Sequence, residues 1–167
     1  MSEKGRKIHI VGIGASAGGI EAITQLVSHF RVDLPCTYVV LQHISPDYRS
    51  MMAEILSRET QLKVKELEDG GVPKQGTIFI VPARSNARIQ EGVFHLVASP
   101  PEIVPKPSIN QFFISLASEE GEAAIGIILS GTGSDGVVGL QAIQAAGGFT
   151  LVQEPNTAKY DGMPRSA

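Results

Sequence analysis

Three short segments carry residue types that cooperate in nucleophilic acyl chemistry: a serine, a histidine and an aspartate, each flanked by glycine or proline after an apolar run. Gly14-Ala15-Ser16-Ala17-Gly18 fits the G-x-S-x-G pattern. Small neighbours there permit a sharp strand-to-helix turn that lifts the serine oxygen above a sheet edge. The N–H groups opening the next helix then point toward negative charge. Taken alone, the segment serves equally as a plain tight turn or a phosphate cradle. Gln42-His43 closes a second apolar run and precedes Ile44-Ser45-Pro46. An imidazole, with an unperturbed pKa of about 6.5, suits the base that a serine hydroxyl needs. Asp135 lies in Ser130-Gly131-Thr132-Gly133-Ser134-Asp135-Gly136, after a third run. It either caps the next helix or accepts a hydrogen bond from the histidine, fixing its tautomer and stabilising the imidazolium. N–H groups of the same glycine-rich loop suit an oxyanion. The order Ser, His, Asp differs from the Ser, Asp, His of ordinary α/β-hydrolases and points away from that fold.

The elements that must position these residues alternate short apolar runs with amphipathic ones, the pattern of βα units around a mostly parallel sheet. Lys7–Val11 reads as a first strand, followed by a glycine-rich turn and a helix over Gly19–Phe30 with Ile20, Ile23, Leu26 and Val27 on one face. Cys36–Gln42 is a strand apolar enough for burial on both faces. Pro46-Asp47 starts a helix to about Arg58, with Met51, Met52, Ile55 and Leu56 inward. Val64–Glu68 and Thr77–Val81 are extended, and Arg88–Gln90 and Val93–Val97 flank Glu91-Gly92 as a β-hairpin expected at the edge of the sheet. Ser99–Pro107, with four prolines in nine residues, is a stiff connector. Ser108 is the N-cap of a helix through Ser118 that packs Phe112, Phe113 and Leu116. Ala123–Leu129, Val137–Ala146 and Phe149–Val152 read as strand, helix and strand, and Pro164 opens a last helical turn. In an open α/β sheet, ligands bind beyond the carboxyl ends of the strands, so the three polar sites converge. Of the four histidines only His43 has such a place; His9 lies in a strand, His29 near a helix end and His95 in the hairpin.

A chain of 167 residues with 43% hydrophobic and 19% charged residues fits one globular domain. Its net charge of −3, with Lys and Arg scattered, leaves no basic face for nucleic acid or an anionic membrane. Cys36 is the only cysteine, so no intrachain disulfide forms and a reducing compartment, the cytoplasm, is expected. No apolar stretch has the length of a membrane span. Lys4, Arg6 and Lys7 before IHIVGIG and Ala15-Ser16-Ala17 mimic a secretory signal. The apolar part is too short for one, contains His9 and is broken by Gly12 and Gly14.

Four blocks, GIGASAGGIEAI, VVLQHISP, LSGTGSDGVVGL and DGMPRSA, resemble those of one family in order and spacing, over essentially the whole chain. It is the catalytic domain of the protein-glutamate methylesterases of bacterial chemotaxis. SGTGSDG and DGMPRSA are most similar to the version at the head of hybrid proteins fused to a receptor methyltransferase. The resemblance implies a Rossmann-like doubly wound domain with a serine esterase site and no cofactor or metal. It implies methyl-esterified glutamates on cytoplasmic chemoreceptor helices, or on receptor-like proteins, as substrate, with deamidation of receptor glutamines as a second activity. A fused or separate methyltransferase is the implied partner. The family's nucleophile, base and acid fall on Ser16, His43 and Asp135, and its main-chain oxyanion donor on Thr132, joined by the N–H of Ala17. Threonine is common where Ala17 stands and methionine where Thr132 stands; a main-chain donor tolerates the second change. The family's phosphorylation-controlled receiver domain is absent from residues 1–167, and the chain is expected to lack the last C-terminal strand. Two other readings remain: a non-catalytic module that docks on receptors, and a dinucleotide-binding domain. The second has G-x-G-x-x-x-G at Gly12, Gly14 and Gly18, one residue off the usual fingerprint, and no acidic residue ending the second strand.

Overall fold

A computed structural model describes residues 7–43, 51–98 and 107–167. Six strands, all parallel, form one sheet: β1 (His9–Ala15), β2 (Cys36–Gln42), β3 (Lys63–Glu66), β4 (Thr77–Ile80), β7 (Ile125–Ile128) and β8 (Phe149–Val152), in the order β3-β4-β2-β1-β7-β8. Between β4 and β7, β5 (Ser85–Gln90) and β6 (Val93–Ala98) pair antiparallel as a separate two-stranded sheet. The helices are α1 (Gly19–Val27), α2 (Met52–Glu59), α3 (Ile109–Glu120), α4 (Val137–Ala145) and the short α5 (Gly162–Ser166).

The period-2 alternation of the central strands divides the core between the two faces of the sheet. Ile10, Val39, Leu41 and Ile128 join Phe112, Phe113 and Leu116 of α3 and Leu140 and Ile143 of α4 in one cluster. Val11, Ile13, Tyr38, Val40 and Ile127 face Ile23 and Val27 of α1 and Met52 and Leu56 of α2 in the other. Fully burying each Phe or Leu side chain stabilises the fold by about 1.5–3 kcal/mol, so both helical layers are firmly held. This is the doubly wound α/β architecture implied by the sequence. The chain leaves β1 toward β2 on one side and returns to β7 on the other, which places a topological switch point at β1.

The main boundary difference lies at β1, expected over Lys7–Val11 with a turn at Gly12. The strand instead runs to Ala15, with Gly12 and Gly14 inside it. A Cβ on Gly12 would stand 2.6 Å from Phe113, and one on Gly14 2.6 Å from Ile109, so these glycines let α3 lie directly on the strand. Helix α1 stops at Val27, short of Phe30. Ile20 and Met51, both expected inward, are exposed, and Ile55 is only half-buried. The Pro46-Asp47 helix start and most of the Ser99–Pro107 connector lie outside the described residues. The hairpin extends the α3 side of the core through Ala87, Ile89 and Phe94, and among the described residues no ladder joins it to an outer strand. Its edge is tied to α3, where Ser115 Oγ accepts from the Ile89 N–H (3.0 Å) and Glu119 from the Gly92 N–H (2.8 Å). Among the described residues, no helix is long and apolar enough to cross a membrane.

Candidate active site

Ser16, His43 and Asp135 follow β1, β2 and β7, three adjacent strands, at their carboxyl ends. Ser16, His43, Thr132 and Asp135 line one open cleft of about 800 Å³ that is rimmed by Asn110, Val137 and Val138. Ser16, His43, Thr132 and Asp135 are therefore together, and Ala17 follows Ser16 in the turn that leads into α1.

The serine turn is pinned on every side. The Ser16 N–H donates to Ser130 O (2.9 Å), and the Ser16 carbonyl accepts from the Gly19 N–H (2.8 Å) and from Gln42 Nε2 (2.7 Å). Gly18, at φ 72°, makes the left-handed turn into α1 that a side chain would strain. Across the turn, a Cβ on Gly131 would lie 2.8 Å from Ser16 Cβ. Only glycine lets the second loop come so close to the nucleophile's backbone. Ser130 Oγ donates to Ala17 O (2.8 Å), joining the two loops a second time. Among the described residues, the N–H groups of Ala17 and Thr132 donate to no protein acceptor.

His43 continues the β1–β2 ladder through its N–H to Ala15 O (3.0 Å). Its Nε2 lies 2.8 Å from Asp135 Oδ2, and both side chains are 11% exposed. The Asp135 carboxylate also accepts from the first two N–H groups of α3: Ile109 to Oδ2 (2.9 Å) and Asn110 to Oδ1 (3.0 Å). Burial, the largest single influence, pushes this carboxyl up. The His43 hydrogen bond and the two α3 N–H groups together outweigh it and hold the carboxyl below its ordinary value. An ionised Asp135 requires the proton on Nε2, which makes Nδ1 the basic nitrogen. Ser16 and His43 share the cleft without a hydrogen bond to each other. Such catalytic contacts are often long before substrate arrives.

Three supports of the site carry no chemical signature in the sequence. Gln42, 5% exposed, donates from Nε2 to the carbonyls of both Ser16 (2.7 Å) and His43 (3.1 Å), so one amide spans the nucleophile and base segments. Its Oε1 is buried against Gly19 and has no partner among the described residues. Ser130 and Asn110 look like ordinary loop and helix residues in the sequence, yet each bonds the Asp135 loop to a neighbour. The only signal available for Gln42 was a polar residue in an otherwise apolar strand.

A family model described as CheB methylesterase matches residues 11–167. The chain belongs to the CheB methylesterase family. The crystal structure of the Thermotoga maritima CheB methylesterase catalytic domain matches with a TM-score of 0.88 at 29% identity, over 96% of this chain and 87% of that one. A protein-glutamate methylesterase/protein-glutamine glutaminase of Gluconobacter oxydans is 39% identical over 165 residues, 95% of this chain and 47% of the relative. A protein of the same description from Carboxydothermus hydrogenoformans is 34% identical over 173 residues, 100% of this chain and 50% of the relative. The chain thus spans about half the length of these curated CheB relatives. The dinucleotide reading does not survive the geometry. Two of its three glycines lie within β1, where Phe113 and Ile109 fill the space a close-packed cofactor turn would need.

Proposed function

We propose that this chain is the catalytic domain of a cytoplasmic serine esterase that hydrolyses glutamate γ-methyl esters on the helices of chemoreceptors or receptor-like proteins. The observation that carries the reading is the His43–Asp135 pair at 2.8 Å, sharing one cleft with Ser16 at the ends of adjacent strands. Ser16 Oγ attacks the ester carbonyl carbon as its proton passes to His43 Nδ1, and Asp135 stabilises the imidazolium that forms. The oxyanion is held by the N–H groups of Ala17 and Thr132, which among the described residues are not committed to other protein acceptors. Collapse breaks the carbon–methoxy bond, and the Nδ1 proton leaves with methanol. A water, deprotonated in turn by Nδ1, then attacks the acyl-enzyme and releases the glutamate side chain and free Ser16. With a glutamine side chain the same sequence releases ammonia, which is the deamidation named for the relatives. The scheme calls for no metal or organic cofactor. A fused or separate receptor methyltransferase, which would produce the ester, fits as its partner.

The test is methanol release from methylated receptor signalling domains, with Ser16→Ala alongside. The variant is expected to lose at least about 10³-fold in rate while remaining folded. A Ser16→Ala protein with parental activity overturns the scheme. A folded parent that releases no methanol favours a non-catalytic docking module.

A further inference from the structure

Helices α3 and α4 cap one another, and the exchange passes through Asp135. Helix α4 begins after Gly136 (φ 101°), whose lack of a side chain leaves the helix without a cap of its own. Asn110 supplies one from α3. Its Oδ1 accepts from the N–H groups of both Gly136 and Gly139, each at 2.9 Å. The return bonds run from the Ile109 and Asn110 N–H groups to the Asp135 carboxylate. The two helices touch closely enough that a Cβ on Gly139 would stand 3.2 Å from Asn110 Cα. Asn110 therefore holds Asp135 with its own main chain and, with its side chain, the N–H of the very next residue. It also lines the cleft.

We propose that Asn110 is a positioning residue for the esterase reaction: it fixes the Asp135–Gly136 peptide against α3, and its neutral amide leaves His43 with a single carboxylate partner. The inference rests on the function proposed above. Among the described residues, His43 is the one titratable group that bears on Asp135. The first turns of α3 and α4 carry no acidic side chain. On and beside α5, Arg165 pairs with Asp161 and also feels Glu154, and Lys159 lies 3.7 Å from Glu21.

Two variants separate positioning from simple capping. Asn110→Ala removes the acceptor for two N–H groups; a lower Tm is expected, with kcat down about 10-fold or more and KM within about twofold. Asn110→Asp restores the acceptor and so the Tm, but places a second carboxylate in the cleft that His43 lines. A negative charge there favours the imidazolium, so the acid limb of the kcat/KM profile is expected to move up by about 0.5–1 pH unit. A plain structural cap predicts Asn110→Ala with the parental rate per folded molecule, and Asn110→Asp with the parental pH profile would show that the neutral amide does not set the charge around His43. Either result overturns the proposal. The imidazole titration of His43, followed by NMR in parent and Asn110→Asp, reports the same shift without turnover. If the parent releases no methanol, the esterase reading fails, and the NMR shift still decides whether Asn110 governs the charge of the pair.

Discussion

Asp135→Asn is the perturbation whose cost can be followed most closely from the structure. The carboxylate serves three donors: the Ile109 N–H and His43 Nε2 at Oδ2, and the Asn110 N–H at Oδ1. An asparagine has one acceptor oxygen. If that oxygen keeps the Oδ2 position, the new NH₂ group meets the Asn110 N–H, donor against donor. If the amide flips, the NH₂ group faces His43 Nε2 and drives the ring proton onto Nδ1, the nitrogen that must act as base. Either way one N–H at the start of α3 loses its acceptor, worth about 1 kcal/mol, and the negative charge on the helix N-terminus is lost, worth about 0.3–1 kcal/mol. At about 2–4 °C per kcal/mol for a domain of this size, Tm is expected to fall by roughly 3–8 °C. Against a typical folding stability of about 5–15 kcal/mol, the variant stays folded.

The rate suffers more than the stability. Loss of tautomer control and of imidazolium stabilisation costs about 10⁴ in kcat in a well-studied serine protease triad, and a loss of about 10²–10⁴ is expected here. Initial rates of methanol release and thermal melts on the same samples measure both quantities. The sign of the pH dependence follows from the lowered pKa of Asp135. Its contribution to stability is fully present above the unfolded value of about 3.9 and is lost as pH falls through the lower folded value. The Tm gap between parent and Asp135→Asn should therefore be constant near neutrality and close below about pH 4. An Asp135→Asn protein with parental Tm and kcat/KM within tenfold of the parent would refute the reasoning.

Gln42→Met keeps the size of the side chain but strips the amide from the carbonyls of Ser16 and His43. It is expected to cost about 1–3 kcal/mol in denaturant unfolding and to lower kcat/KM about 10–100-fold at a temperature where the protein is folded. Gly131→Ala places a methyl group against Met163 Sδ and 2.8 Å from Ser16 Cβ. The methionine can give way but the pinned serine turn cannot. The expected result is about 1–3 kcal/mol of destabilisation and slower labelling of Ser16 by a fluorophosphonate; labelling at the parental rate would show that the two loops are not rigidly coupled.

The parts of the fold read correctly from sequence are those fixed by periodicity and flanking punctuation. Cys36–Gln42 and Phe149–Val152 have the strand limits expected, and Ser108 is the N-cap, its Oγ accepting from the Gln111 N–H at 3.2 Å. Glycine misled the reading at β1. Gly12 and Gly14 look like turn residues in one dimension, because the reason for them is Phe113 and Ile109, about a hundred positions away. Burial at helix ends was also overread. Ile20 and Met51 fit an inward stripe by spacing, but the buried stripes run through Gly19, Ile23 and Val27 in α1 and Met52 and Leu56 in α2, which leaves Ile20 and Met51 facing outward. The residues expected at the active site were legible because three chemically distinct side chains each follow an apolar run. Gln42, Ser130 and Asn110 were not, since their roles depend on carbonyls and N–H groups of other segments, which leave no mark in the local sequence.

The sequence offered Asp135 two roles, helix cap or partner of the histidine, as though one excluded the other. In the structure it pairs with the histidine and also caps a helix, but not the next one: the helix it caps is α3, which precedes it in the chain, not α4, which follows. A carboxylate oriented only by a histidine would swing with it. One that also closes a helix N-terminus is held by main-chain donors that cannot rotate away. Together with the His43 hydrogen bond, the same two N–H groups hold its carboxyl below the ordinary value against the burial that pushes it up. The cap is therefore part of the proposed chemistry: it fixes the direction and the charge of the group that chooses the tautomer of His43. Replacements that disturb α3 near Ile109 should accordingly register in the rate before they register in the overall fold.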